Sequence, residues 1–337
     1  MNSVMPRLIA AAIKTFGLSL GGRTVLTEAA TGNYVVTPVI AALAGAEVFA
    51  FTRASRFGSI DEVKRQTEEL IAAVRPHLPV RVITSLGDAP MDRLDVLTNT
   101  GFLRPIGSML VDRLPRSCVI PLMWETWEFR SNELDMDACW RRGIKVYGTN
   151  EDDPRLRTKD YLGFIVLKRL LAESRTPFST RVLLLGCEEF YLPVQHLLLK
   201  IGYECVVATV RDTFNSSDFD ALVLLEHKEP TELVGSPTAL IPAKMFRPDQ
   251  MVIHVCGQAD FSELVCARYP ETVAPFGFMS ITTDYADPKA LIDLHTAGLS
   301  VAEGMLEANR LRLSGREYKE FVERHYPAQA FSDQRYW

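Results

Sequence analysis

Residues 181–209 read RVLLLGCEEFYLPVQHLLLKIGYECVVAT, and the rest of the chain is organised around them. An unbroken apolar run over 182–185 ends in Gly186, the pattern of a parallel strand covered on both faces. Val194, Leu197, Leu198 and Ile201 follow at helical spacing, and Gly202 stops that helix. Residues 205–208 form a second buried strand. The result is a β-turn-α-β unit of the kind that opens a nucleotide-binding sheet. Its turn keeps one of the three glycines that let backbone approach a pyrophosphate, Gly186. Glu188 and Tyr191 stand in the other two positions, and Glu188 with Glu189 brings negative charge to the turn.

A chain of 337 residues is long enough for two domains, since single cores stop growing below that size. With 47% apolar and 23% charged residues the composition is that of a soluble globular protein. A net charge of −5 carries no basic footprint for nucleic acid or an anionic membrane, so neither is expected as a partner. The six cysteines show no CxxC pair and no metal-ligand spacing with histidine. They read as reduced, buried small side chains and point to a cytoplasmic location, with no metal site. Residues 8–20 read as an amphipathic surface helix, and no apolar run is long enough to span a bilayer.

Before this unit, strands are expected at 24–27, 47–52, 80–84, 95–98, 119–123 and 144–147. Helices are expected at 34–44, with Asn33 as N-cap, at 60–74 and at 134–142. Beyond the polar hinge 150–154, a helix at 158–171 leads into strands at 182–185, 205–208, 221–225 and 251–255. A long helix over 288–313 closes the chain. Strands alternating with helices at this spacing mean an α/β fold: two Rossmann-like parallel α/β domains with a cleft between them. Domain limits are expected at 1–150, flavodoxin-like and substrate-binding, and at 151–285, of nucleotide-binding type. The C-terminal helices of 286–337 then pack back across the domains.

The order of pieces resembles the D-isomer 2-hydroxyacid dehydrogenases, including the formate and glycerate dehydrogenase type. Residues 134–150, LDMDACWRRGIKVYGTN, are similar to the stretch that closes the first domain in that family. Residues 220–227, DALVLLEH, resemble the strand whose end covers the adenosine. Residues 245–257, MFRPDQMVIHVCG, resemble the strand after its Met-Lys-x-Gly-like turn. S-adenosylhomocysteine hydrolase shares the two-domain plan. The resemblance implies NAD(P) as cofactor, with Gly186, Thr209, Arg211 and His227 around it. Thr209 replaces the acidic residue expected after the second strand, and with Arg211 it suits a 2′-phosphate and hence NADP. The family's catalytic arginine and histidine fall on Gly257 and Phe276, so its reaction mechanism is not implied.

In open parallel sheets ligands bind outside the carboxyl ends of the strands. That rule nominates Thr31, Gly32, Asn33, Arg53, Arg56, Asn99 and Arg104 as substrate-binding residues. The Thr31-Gly32-Asn33 turn offers backbone amides to an anion, and the arginines can clamp it. Glu125 and His254 are the candidate catalytic acid or base groups. A lone histidine is more often structural than catalytic, and arginines in loops are more often simply solvated. The function these features favour is a divergent NAD(P)-dependent oxidoreductase in small-molecule metabolism, acting on a small anionic metabolite, with a homodimer as the possible assembly. The rivals are a cofactor-independent protein that binds or scaffolds, and a non-redox lyase or hydrolase on the same fold.

Overall fold

The computed structural model describes residues 4–282 and 285–336. The chain divides into two compact units, Met1–Leu156 with Pro288–Trp337, and Arg157–Asp287.

The first unit begins with α1 (Met5–Phe16), amphipathic and capped by left-handed Gly17. Then come β1 (Thr24–Glu28), α2 (Val36–Leu43), β2 (Glu47–Phe51), α3 (Ile60–Val74), β3 (Val80–Ile83), β4 (Val96–Leu97), α4 (Ser108–Val111), β5 (Val119–Pro121), α5 (Met136–Arg142) and β6 (Lys145–Thr149). Each expected strand forms, trimmed or shifted by one or two residues at its ends. Ser59 caps α3 by accepting a hydrogen bond from the amide of Glu62, and Asp135 caps α5 through Ala138. The expected helix at 34–44 starts differently. Residues Gly32–Val35 form a 3-10 turn, so Asn33 sits inside that turn instead of capping the helix.

The second unit carries α6 (Asp160–Ala172), β7 (Arg181–Gly186), α7 (Glu188–Lys200), β8 (Glu204–Ala208), β9 (Ala221–Leu225), β10 (Glu232–Gly235), β11 (Ile241–Pro242), β12 (Met251–Cys256), β13 (Gln258–Ala259) and β14 (Ala267–Tyr269). The main sheet is ordered β14-β12-β9-β7-β8 and is parallel throughout. Because successive strand residues face opposite ways, Val182 and Leu184 pack with Val194 and Leu198 of α7 and Ile165 of α6. Leu183 and Leu185 turn to the other face. No long helix covers that face in the described residues. A small parallel sheet, β11-β10-β13, and the side chains of Phe219, Phe246 and Phe261 cover it instead.

The chain then returns to the first unit through α8 (Pro288–Arg310), α9 (Gly315–His325) and β15 (Ala328–Gln329). The seven-stranded sheet runs β15-β6-β5-β4-β1-β2-β3, parallel except for the antiparallel edge strand β15. One face packs on α1, α2 and α8, where Leu291, Ile292, Leu299 and Met305 meet Val25, Val96 and Val119. Leu26, Leu97 and Ile120 face the opposite side, against α4 and α5. The helices expected over 286–337 are α8 and α9, while β15 was not expected from the sequence.

Candidate functional site

In the second unit the strand ends converge on the turn that begins α7. Gly186 closes β7 with φ +154°, and a Cβ built there would lie 2.3 Å from the carbonyl carbon of Leu225 and 2.7 Å from the amide of Glu226. The glycine is therefore demanded by the approach of β9. Cys187 follows in extended conformation as the N-cap of α7, and its amide donates to the Leu225 carbonyl at 3.2 Å. Glu188 is exposed. Glu189 is not left as bare negative charge: its carboxylate lies 3.1 Å from Lys159 and 3.2 Å from Lys228, which hold it below its usual range against the cost of burial.

Thr209 ends its segment beside Asp212, whose carboxylate accepts hydrogen bonds from the Thr209 amide at 2.7 Å and hydroxyl at 2.8 Å. Those two bonds hold the Asp212 carboxyl below its ordinary value. Arg211 reaches out to Glu229 at 2.8 Å. The buried carboxylate of Glu226 accepts from the amides of Lys228 at 2.7 Å and Glu229 at 3.0 Å, folding the chain after β9 into a tight turn. Together Gly186, Cys187, Thr209, Val210, Arg211, Glu226, Lys228 and Glu229 line a cavity of about 260 Å³.

The structure thus brings Gly186, Thr209 and Arg211 to one cavity. His227 reaches its wall through Cys187: Nδ1 lies 2.9 Å from the Cys187 Sγ, and the ring stacks on Phe190 at 4.3 Å. Burial pulls the His227 imidazole below its usual value, with Glu189 opposing at 3.8 Å. Asp212, Glu229, Lys228 and Cys187 were not singled out from sequence. Only the spacing of Asp212 after Thr209 could have drawn attention to an acid there.

His254 lies within β12 and is fully buried. Nδ1 pairs with the Ser280 hydroxyl at 2.7 Å, Nε2 is 3.0 Å from the Gly257 carbonyl, and Phe261 meets the ring edge-on. Proton exchange with a ligand would require one of those bonds to open.

In the first unit, Thr31 donates to the Phe57 carbonyl at 3.0 Å, and the Gly32 amide donates to Gln66 at 2.8 Å. Arg53 and Arg56 are exposed, their guanidinium groups over the rings of Phe102 and Phe57. Asn99 is buried and accepts from the Met123 amide at 2.9 Å. Arg104 lies over Trp124 and pairs with Glu133 at 2.7 Å. The buried Glu125 accepts from Trp127 Nε1 at 2.7 Å. Nearby, burial and the neighbouring Glu151 push the Glu128 carboxyl well above its ordinary value. Glu28, also buried, accepts from the Phe102 amide at 2.9 Å, and burial pushes it upward while Arg104 opposes.

A larger cavity of about 620 Å³ lies in the same unit, lined by Ser19, Arg23, Glu303, His325 and Tyr326 among others. Its residues 19–23 lead into β1, so it sits at the amino ends of the strands, away from where parallel sheets bind ligands. Among the described residues no group of three or more His, Cys, Asp or Glu side chains has metal-binding geometry. No helix there is long and apolar enough to cross a membrane.

The sequence matches no family model and no curated protein. Solved structures do match. The dipicolinate synthase A chain from Bacillus subtilis aligns at TM-score 0.55 and 11% identity, over 87% of this chain and 99% of that one. Its counterpart from Bacillus halodurans, also a dipicolinate synthase, aligns at TM-score 0.52 and 12% identity, over 82% and 96%. A D-lactate dehydrogenase from Treponema pallidum aligns more loosely, at TM-score 0.47 and 8% identity, over 85% and 97%. At these identities the likeness is one of fold: this chain shares the α/β fold of the dipicolinate synthase A chains.

Proposed function

We propose that the chain is an NAD(P)-dependent oxidoreductase acting on a small anionic metabolite. The observation that carries this reading is the cavity at the carboxyl ends of β7, β8 and β9, where open parallel sheets receive their ligands. The residues present fit a phosphorylated ribose. Arg211 would turn from Glu229 to supply positive charge, Thr209 would turn its hydroxyl from Asp212, and the start of α7 would offer the amide of Glu188. Lys159 and Lys228 offset the charge of Glu189, so the two glutamates repel a phosphate less than their sequence implies. When bound, the dinucleotide would supply hydride chemistry. The anionic metabolite is assigned to Arg53 and Arg56 beside the Thr31-Gly32 turn, and the free thiols suit a reducing, cytoplasmic setting.

The test is a calorimetric titration with NADPH and NADH. A charged hydrogen bond is worth about 1.5–3 kcal/mol, so Arg211→Ala should weaken NADPH about ten- to a hundredfold and NADH much less. Equal loss for both would remove the 2′-phosphate assignment, and no binding of either would remove the oxidoreductase reading. A second reading is a dehydrogenase-like binding protein without cofactor. The exposed Glu188 at the turn and the engagement of both His254 ring nitrogens favour it.

A further inference from the structure

Cys187 and His227 form a pair that nucleotide binding does not require. The Cys187 Sγ lies 2.9 Å from His227 Nδ1 and 3.5 Å from the Leu225 carbonyl, and Cys187 lines the 260 Å³ cavity. The imidazole is held in place by stacking on Phe190 at 4.3 Å, and Glu189 lies 3.8 Å from Nε2. Cys187 is also the N-cap of α7, so the positive end of a 13-residue helix faces a developing thiolate. The other five cysteines have no histidine partner of this kind among the described hydrogen bonds.

We infer that Cys187 is a nucleophilic thiol with His227 as its base, and that it exchanges with low-molecular-weight disulfides entering the strand-end cavity. As Sγ attacks one sulfur of R–S–S–R, His227 Nδ1 takes the thiol proton. The Cys187–S–S–R bond forms, the R–S–S–R bond breaks, and the departing thiolate takes the proton from His227 to leave as R–SH. Cys187 is oxidised and one R–S group is reduced, with no further oxidant. The resulting adduct occupies the cavity; that it would then exclude a nucleotide rests on the reading proposed above.

The charges around the pair set its pH behaviour. Glu189 and the Tyr191 phenol come from α7, Glu226 and Lys228 from the segment after β9, Lys159 from the start of α6, and the Cys256 thiol from β12. Burial pushes the Cys187 thiol up and the His227 imidazole down, so near neutral pH the pair rests as thiol and neutral imidazole. A neutral imidazole is the form that accepts a proton. The rate of exchange should therefore rise as His227 loses its proton below pH ~6.5 and stay level to pH ~8, whereas an unassisted thiol keeps accelerating toward ~8.5.

The experiment treats the native full-length protein with dithiodipyridine, an uncharged aromatic disulfide, and identifies the labelled cysteine by peptide mass. Cys187 should react first, and at pH 7 about tenfold or more faster than the partly exposed Cys205. Cys187→Ser should abolish the fast phase. His227→Gln should slow it about tenfold or more without changing the Cys205 rate, which serves as the internal measure of folding. Labelling of Cys205 first, or a Cys187 rate indifferent to His227→Gln, would overturn the inference. Should His227→Gln not fold, the native pH profile decides: a plateau supports the pair, and a continuous rise through pH 8.5 refutes it.

Discussion

Gly186→Ala probes what the glycine of the strand-turn-helix unit is for. If the residue exists to admit a pyrophosphate, adding a methyl group should harm ligand binding and leave the apo protein sound. The structure requires the reverse. The new Cβ would stand 2.3 Å from both the carbon and the oxygen of the Leu225 carbonyl and 2.7 Å from the Glu226 amide, all backbone atoms that cannot swing aside. The residue would also be held at φ +154°, which L side chains rarely adopt. Overpacking costs about 1–3 kcal/mol and a strained backbone conformation about 1–3 kcal/mol more, so a loss of about 4 kcal/mol is expected. For a chain of this class that lowers the melting temperature by roughly 10 °C. Urea unfolding and thermal melts of the apo protein measure it, repeated with NADPH to show that the loss is independent of ligand. An apo melting temperature within ~2 °C of the parent would refute the argument that β9 dictates this glycine.

Glu188→Gln removes the one turn carboxylate that no lysine offsets, and should tighten NADPH binding about fivefold, or ~1 kcal/mol, in calorimetry. Unchanged affinity would mean the phosphates pass elsewhere. His295 is fully enclosed, with Nδ1 2.6 Å from the Thr37 hydroxyl, and burial lowers its pKa to about 4. The unfolded chain takes up that proton near pH ~6.5, so the stability His295 confers is complete above that pH and lost as pH falls to about 4. The loss amounts to about 3 kcal/mol, and His295→Gln should flatten the pH dependence of urea unfolding across that interval.

The parallel architecture was readable because buried strands are continuous apolar runs. Arg181–Gly186, Glu204–Ala208, Ala221–Leu225 and Met251–Cys256 lie within a residue of where composition put them. The short strands β10, β11, β13 and β14 were not readable, since runs of two to four residues carry too little periodicity. Edge strand β15 was missed for the same reason, and the limits of α9 were not set because its high charge hides an inward stripe of Tyr318 and Val322.

What repeats locally was legible in the residues alone: apolar runs alternate with helical periods, so strands end at Gly186, Thr209 and Glu226 with loops beyond them. Those signals are intrinsic to a few neighbouring residues. What each polar side chain is worth emerged from the folded chain, because charge and reactivity depend on neighbours distant in sequence. Glu189 reads as a repulsive carboxylate until Lys159 and Lys228 meet it, and Cys187 reads as a buried thiol until His227, forty residues on, lies 2.9 Å away. Gly186 reads as a phosphate-turn glycine until the backbone of Leu225 fills the space its side chain would need.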